Sequence, residues 1–562
     1  MALCVAVVLV FVSSRGSAQL SESWAVRYDG PGRGDDEATA VAVDSYGNVC
    51  VTGFSWGGSP GTPSISDDAA AGTGYDFYTA KYSPDGVLLW SDRYRGFDAG
   101  DSRDKAWDIE LDSGDNIYVA GPSESPHADW DFVVVKYDPD GMREWVARYD
   151  GLGRARDKCV ALALDGQGNS YVTGSSPGLG PYADFATVKF GPDGEFVWDA
   201  RYSGPSDSPD HAQDIAVHCD GSVYVTGCGD AWGVVDYVTI KYSSDGEEEW
   251  VATYTGTGTG WDMAYDIALD ASGNAYVTGW SSGSGTGPDY LTIKYDSEGH
   301  EEWVARYDGG PYFDSDYAHD LAVDSGGNVY VTGHSQRTYV GFEYTTLKYN
   351  TDGDLLWEAR YGEGGPCSLG DVAYTVGVDP LGNVLVAGKD CGYTDYDCAT
   401  VKYSPDGAEL WCAAYQAEPD DEGVGLDVAL GAGGEVYIAG SCDCDGTAKD
   451  FLVLKYSNST GITESETPVP RLRLSDASPN PFRSETQAIL YLARSHERIS
   501  VDITNVRGQI VRTLDLGISG GRTRPLSWDG TDQAGRPLAS GVYFMRASNG
   551  RSEATRKVVL VR

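Results

Sequence analysis

The chain has 562 residues and carries 85 acidic against 41 basic side chains, a net charge of −44. A surface this acidic repels phosphate backbones and excludes DNA or RNA as a partner. With 73 Gly, 37 Tyr, 15 Trp and only 4 Met, and no sustained 3.6-residue apolar period, the composition is that of a turn-rich all-β protein, too long for one ordinary domain. From Arg471 onward, 15 basic and 8 acidic residues give a net +7, which leaves −51 before that point and marks a separate unit.

In chain order, MALCVAVVLVFVSSRGSAQL reads as a secretory signal peptide over residues 1–18. Its apolar run, Leu3 to Val12, is too short to span a bilayer, and Gly16 and Ala18 are small residues at the cleavage positions. No later segment could span a membrane after the signal is removed. Export makes the ten remaining cysteines candidates for disulfides.

Then comes a strand, WAVRY at residues 24–28, followed by a unit that recurs eight times. A Lys-aromatic pair marks each copy: Lys81-Tyr82, Lys136-Tyr137, Lys189-Phe190, Lys241-Tyr242, Lys294-Tyr295, Lys348-Tyr349, Lys402-Tyr403 and Lys455-Tyr456, spaced by 52 to 55 residues. Each period predicts four short strands, of the types AYDIALD, NAYVTG, DYLTIKY and EEWVARY, with Asp, Asn and Gly supplying the tight turns. Such four-stranded units predict the blades of a β-propeller over residues 19–456. Seven fourth strands follow the pairs, at Trp90, Trp145, Trp198, Trp250, Trp303, Trp357 and Trp411. The eighth pair runs instead into SNSTGITE, so residues 24–28 are expected to complete the eighth blade and close the ring without a free sheet edge.

Within the repeats an aspartate leads each first strand: Asp36, Asp104, Asp157, Asp210, Asp262, Asp316, Asp371 and Asp421. One reading is a carboxylate ring at a channel mouth that holds a cation such as Ca2+, the one cofactor the sequence admits. The other is a structural Asp that caps backbone N–H groups at each turn. The second is favoured, because eight carboxylates on a wide ring cannot all reach one small ion. The seven histidines follow no metal-ligand spacing, and no GxSxG elbow, P-loop or dinucleotide fingerprint occurs in a strand-to-helix context, so no catalytic residue and no other metal site is assigned.

Loops joining strands 2 and 3, and those between units, are expected on one face, where the length variation falls. The longest is FSWGGSPGTPSISDDAAAGTGY, residues 54–75. Aromatic residues there, Trp56, Trp232, Trp280, Tyr312, Phe313, Tyr339 and Tyr393, suit stacking on a sugar or gripping a peptide; the alternative is that they cover the core edge. Cys391 and Cys398 flank one such loop and are the first candidate for a disulfide; Cys442 and Cys444 lie in the equivalent loop of the next unit.

Residues 457–470 form a linker, and 471–562 a small unit of alternating apolar residues, expected to be a β-sandwich. Its marks are SPNPF at 478–482, NVRGQIVRTL at 505–514, WDGTDQAGRPLASGVYF at 528–544 and the terminal KVVLVR.

The pattern DxxGNxYVTG followed by DYxTxKYxxDGxxxWxxRYxG resembles the bacterial SBBP β-propeller repeats over about residues 24–456. The C-terminal unit resembles FlgD-type Ig-like domains and the C-terminal sorting domains of type IX secretion. That likeness implies export and surface attachment, engagement of a secretion machinery, and a sorting tail made of Lys557, Val558, Val559, Leu560, Val561 and Arg562. Propellers host binding, scaffolding and catalysis alike. The expectation is therefore a secreted or outer-surface binding or adhesion protein with an extracellular glycan or protein ligand. The alternatives are a hydrolase or lyase acting on extracellular polysaccharide, which needs a symmetry-breaking cluster of acids with Arg, His or Tyr, and a structural surface-layer component.

Overall fold

A computed structural model describes residues 11–13, 20–458 and 472–561. Excepted in the first part are residues 33, 58–73, 97–102, 126–128, 153–155, 179, 181, 207, 232–233, 311–314, 339–340, 363–369, 392–395, 416–421 and 444–447. Excepted in the second are 475–481, 483–485, 493–497, 506, 508, 519–522 and 549–552. All regular elements described are strands, and the chain divides into two compact units, Met1–Ser459 and Thr460–Arg562.

The first strands are β1 (Phe11–Ser13), β2 (Leu20–Tyr28), β3 (Glu37–Val43), β4 (Val49–Trp56), β5 (Tyr75–Tyr82) and β6 (Leu88–Tyr94). Strands β3 to β6 form an antiparallel meander, sheet 1. Sheets 2 to 7 repeat it at 108–149, 158–202, 211–254, 262–307, 316–361 and 372–415. Sheet 8 is built from Glu422–Leu430, Val436–Asp443 and Asp450–Asn458, and its fourth strand is β2, with Trp24 opposite Lys455 and Tyr28 opposite Phe451. Strand β1, inside the segment read as a signal peptide, pairs with the outer strand of sheet 7. The first strand of each sheet packs on that of the next, and that of sheet 8 packs on β3. Eight apolar clusters follow the same order, each drawn from two neighbouring sheets; the one shared by sheets 8 and 1 contains Val26, Val51, Tyr78, Tyr437 and Val453.

The repeated residues explain themselves as joints between sheets. The indole Nε1 of Trp24, Trp90, Trp145, Trp198, Trp250, Trp303 and Trp357 each donates to a backbone carbonyl in the last hairpin turn of the following sheet, at 2.9–3.2 Å. The ammonium of the Lys-aromatic pair reaches the same carbonyl in six sheets; Trp24 and Lys455, from opposite ends of the first unit, thus meet on the Pro84 oxygen. The Gly of each DG turn has φ between 79° and 88°, a backbone conformation that glycine adopts without a steric cost, and the preceding Trp ring lies against it. Sheet 8 has no such turn, because its fourth strand is β2. Accordingly Trp411 is 2 % exposed with no partner for Nε1 among the described residues, and Lys402 pairs with Asp379 at 2.9 Å instead.

The Gly of each VTG-type second strand answers a different demand. The first strand bulges, so that in sheet 5 Ala264 faces Gly279 and Asp266 faces Thr278. The bulge drives a carbonyl, that of Met263 here, into the space a Cβ on Gly279 would fill.

The second unit has two sheets, one joining Leu472–Leu474, Thr486–Leu492 and Thr523–Trp528, the other Ile510–Ile518, Arg498–Asn505, Gly541–Ser548 and Glu553–Leu560. Their core holds Phe482, Val501, Ile503, Leu526, Trp528, Tyr543, Met545, Val558 and Leu560. The terminal KVVLVR thus alternates as an ordinary strand: Val558 and Leu560 are buried, Lys557 and Val561 exposed, Val559 half-buried, and Arg562 lies outside the described residues.

Candidate functional site

The strand-leading aspartates are buried at the junction between sheets. Asp36, Asp104, Asp157, Asp210, Asp262 and Asp316 each accept a hydrogen bond from a glycine N–H in the incoming loop, at 2.6–2.8 Å. A second N–H, from the last residues of strand two, comes to Asp36, Asp104, Asp262, Asp316 and Asp371, from Trp56, Glu124, Ser282, Gln336 and Cys391. These carboxylates therefore staple the crossing loop to its sheet. In sheet 8 the register puts Gly423 at this position, opposite Cys442, and Asp421 lies outside the described residues. Burial pushes Asp36 up to about 7 and Asp157 and Asp316 to about 6; burial and then the neighbouring charge of Asp390 push Asp371 to about 8.

A second set of acids, which sequence reasoning missed, lies four residues further along the first strands: Asp108, Asp214, Asp266, Asp320 and Asp427. Each reaches the next sheet and accepts the N–H following that sheet's bulge, from Leu162, Ile267, Leu321, Val376 and Val41 respectively, at 2.6–3.0 Å. The bulge leaves that N–H outside its own ladder, and the neighbouring carboxylate satisfies it. These acids lie deep in the unit yet keep part of their surface accessible. Burial raises Asp108 to about 7, while burial with the charges of Asp320 and Asp214 holds Asp266 well above the ordinary carboxylate range. The signal was present as Asp at every fourth position in DKAWD, DHAQD, DMAYD and DYAHD, an acid inside an otherwise apolar strand.

The feature that does not repeat lies on sheets 5 to 7. His319 Nε2 and His334 Nδ1 are 3.0 Å apart. The His319 ring stacks on Tyr265 (centroids 5.8 Å) and approaches Tyr374 (5.6 Å); His334 contacts Tyr317 (5.1 Å) and Phe342 (4.6 Å). Trp280 packs on Tyr317 at 5.4 Å and donates to the Tyr265 hydroxyl at 3.1 Å, and the Lys389 ammonium lies over Tyr374 and Tyr396. Burial, then the Lys389 charge, lower His319 to about 4, and His334 falls well below 6.5, so both rings are neutral at pH 7. Tyr265, His319 and Tyr374 immediately precede Asp266, Asp320 and Thr375, which joins this cluster to the first-strand carboxylates. At the same edge of sheet 5, Trp261 is 60 % exposed, and its carbonyl accepts from Ser282 N–H and Oγ. Sequence reasoning passed over Trp261 because it sits in a short loop directly before a strand.

Of the aromatic residues expected on this face, Trp56 and Trp280 are half-buried in aromatic clusters, Trp56 against Tyr75 at 4.9 Å. Trp232, Tyr312, Phe313, Tyr339 and Tyr393 lie outside the described residues. The long loop is shorter than its sequence bounds, since residues 54–56 and Tyr75 belong to β4 and β5. The expected Cys391–Cys398 disulfide is not formed. Cys398 is a free thiol buried between sheets 7 and 8, whereas Cys391 and Cys442 are each disulfide-bonded. The register explains this: Cys398 faces Lys389, while Cys391 faces Tyr396.

A family model for the SBBP β-propeller repeat matches residues 310–337, and one for the FlgD Ig-like domain matches 477–553. The chain carries an SBBP β-propeller repeat and a FlgD Ig-like domain. No curated protein matches the sequence. Among solved structures, this SBBP-repeat chain is similar to PorZ, a bacterial surface component of the type-IX secretion system of Porphyromonas gingivalis, with 13% identity over 93% of this chain and 74% of that one (TM-score 0.34). It is also similar to Sqt1 from Chaetomium thermophilum, with 11% identity over 78% and 99% (0.45), and to the polysaccharide lyase Uly1, with 11% over 62% and 89% (0.39). No helix among the described residues is long and apolar enough to cross a membrane.

Proposed function

We propose that sheets 1 to 8 are the blades of one closed eight-bladed propeller and that it serves as a binding or adhesion module on the cell surface or in the medium. Support for closure comes from β2 pairing in sheet 8 and from the unbroken circuit of first-strand contacts and apolar clusters. Residues 1–18 act as the signal, 457–470 as the linker, and 471–562 as the domain that engages the secretion machinery and anchors the protein.

The observation that carries the binding reading is the wall of Trp261, Trp280, Tyr317 and His334, which belongs to no repeated joint. Half-exposed rings on a rigid support stack on sugar faces at little entropic cost. The ligand is a glycan of low negative charge, since the −51 before Arg471 repels acidic polymers. The test incubates the full chain with neutral and acidic polysaccharides and records retention and products together. Retention of a neutral polymer without turnover, lost in W261A and W280A, supports the reading; no retention overturns it.

A second reading, a polysaccharide hydrolase or lyase, is favoured by one observation: the neutral His319–His334 pair beside Tyr265 and the axial acids is the symmetry-breaking cluster such chemistry needs. New reducing ends or unsaturated products, abolished by H319A, would make it the better one. Deleting 471–562 should leave the propeller folded and stop surface delivery, and surface display of that truncation would refute the sorting role.

A further inference from the structure

The first hairpin turn is capped in one way in sheets 1, 2, 3, 5, 6 and 7. Its leading aspartate, Asp324 in sheet 6, accepts the N–H groups two and four residues on and the side-chain amide of an Asn at the fourth position. Sheet 8 starts its turn with Gly431 and takes the Gly433 N–H on Glu435. Sheet 4 departs further: its turn reads His218-Cys219-Asp220-Gly221-Ser222. The turn itself survives, with Gly221 N–H donating to the His218 carbonyl at 2.9 Å and a φ of 89° at Gly221. An imidazole cannot accept two N–H groups and an amide, so the exchange of Asp for His serves no need of the turn.

The ring makes three other contacts. Its Nδ1 lies 3.0 Å from Asp220 Oδ1, and its Nε2 lies 3.6 Å from Cys219 Sγ and 3.4 Å from the Ala271 carbonyl oxygen on the first turn of sheet 5. Asp220 Oδ1 is itself fixed by Ser222 N–H at 2.9 Å. A carboxylate and a carbonyl are acceptors only. Together they favour a proton on each ring nitrogen, the state His218 reaches by taking the proton of the Cys219 thiol. His218 is held between two turns with its side chain 15 % exposed, whereas Cys219 is a free thiol and the one exposed cysteine among those described. The charges on the packed elements are matched elsewhere. Lys241 pairs with Glu249 at 2.9 Å beside Tyr224, whose hydroxyl donates to Gly273 of the sheet 5 turn, and Asp270 takes the Asn274 amide at 2.7 Å.

We infer that Cys219, His218 and Asp220 form a thiol–disulfide exchange site, at which Cys219 takes on one half of a small disulfide. His218 Nε2 accepts the thiol proton, and the Cys219 thiolate attacks one sulfur of the disulfide. A new S–S bond to Cys219 forms as the old one breaks; the departing sulfur leaves with the electron pair of that bond and receives the proton from Nε2. Cys219 is oxidised and the leaving half reduced, so the disulfide is itself the oxidant. Asp220 touches no reacting atom. It is a positioning residue that orients the ring and balances the imidazolium charge.

The test incubates the full chain with bis(2-hydroxyethyl) disulfide, a small uncharged probe, quenches in acid and quantifies the adduct at Cys219 by peptide mass spectrometry. At pH 6.5 an unassisted thiol is only about 1 % ionised. His218→Asp gives this turn the leading residue of six other sheets, and an unchanged near-UV circular dichroism spectrum verifies that it folds. Its rate at pH 6.5 should fall by about tenfold, the thiolate fraction lost being partly offset by the higher nucleophilicity of a more basic thiolate. Asp220→Asn, which keeps an acceptor but no charge, should slow the reaction as well. At pH 10 an exposed thiol ionises without help, so wild type and both variants should react alike. Equal rates for wild type and His218→Asp at pH 6.5 overturn the inference. A deficit that persists at pH 10 also overturns it, since the substitution would then have changed exposure and not activation; so does a wild-type chain that forms no adduct at Cys219.

Discussion

Replacing Asp108 by Asn tests whether the axial carboxylates are held protonated by their surroundings. Asp108 accepts Leu162 N–H and its neighbour Ile109 N–H, both at 2.8 Å, and burial, then the charges of Asp214 and Asp427, raise it from the ordinary 3.8 to about 7. A raised folded value means that the folded state holds a proton the unfolded state has released. The stability it contributes is full below about pH 4 and is lost as pH rises through about 7. At about 1.4 kcal/mol per pH unit the loss is about 4 kcal/mol, and the solvent contact the side chain retains reduces it to about 2 kcal/mol. Asn cannot ionise, so it removes that loss, but it offers one acceptor where Asp offers two and costs about 1 kcal/mol at every pH. The variant should therefore be less stable by about 1 kcal/mol below about pH 4, nearly equal at pH 5, and more stable by about 1 kcal/mol at pH 8.5. Urea unfolding of the full chain, followed by near-UV circular dichroism at pH 3.5, 5 and 8.5, reads the difference. Parallel stability profiles for the two proteins would refute the argument.

Three further outcomes follow from the same structure. His319 is held near 4, so the unfolded chain takes up the proton first and stability falls as pH drops from about 6.5 to about 4, by up to about 3 kcal/mol; H319Q should flatten that acid limb in the same denaturation experiment. Gly279→Ala forces a Cβ into the Met263 carbonyl and should cost more than about 3 kcal/mol, whereas Gly285→Ala, with open space around it and strained only by its φ of 91°, should cost about 1 kcal/mol; equal melting temperatures would remove the close-approach explanation. Alkylation of the folded chain at pH 8 should modify exposed Cys219 first and leave Cys398 untouched, because burial pushes that thiol up to about 12; peptide mapping with Cys398 labelled early would contradict the packing between sheets 7 and 8.

Much of the first unit was legible from its repetition. The Lys-aromatic pair, the DG turn and the fourth-strand Trp recur because every sheet has the same joint to make, and a joint built from local turn chemistry and one ring leaves its mark in sequence. The displaced strand at Trp24 to Tyr28 could be read for the same reason: a copy missing from one end stood at the other. What the sequence alone could not settle depends on which chains of atoms meet across sheets. Asp108 and Asp266 read as stray polar residues in apolar strands until the bulge of the neighbouring sheet supplies the N–H they accept. The Cys391–Cys398 pairing looked natural across a short loop, yet Cys398 stands two positions along the strand from the residue opposite Cys391 and packs in the apolar cluster between sheets 7 and 8. Sequence period determined the sheets, because strand, turn and inter-sheet Trp are problems solved within about fifty residues. Tertiary structure decided the chemistry, because the field at each carboxylate comes from residues one sheet away.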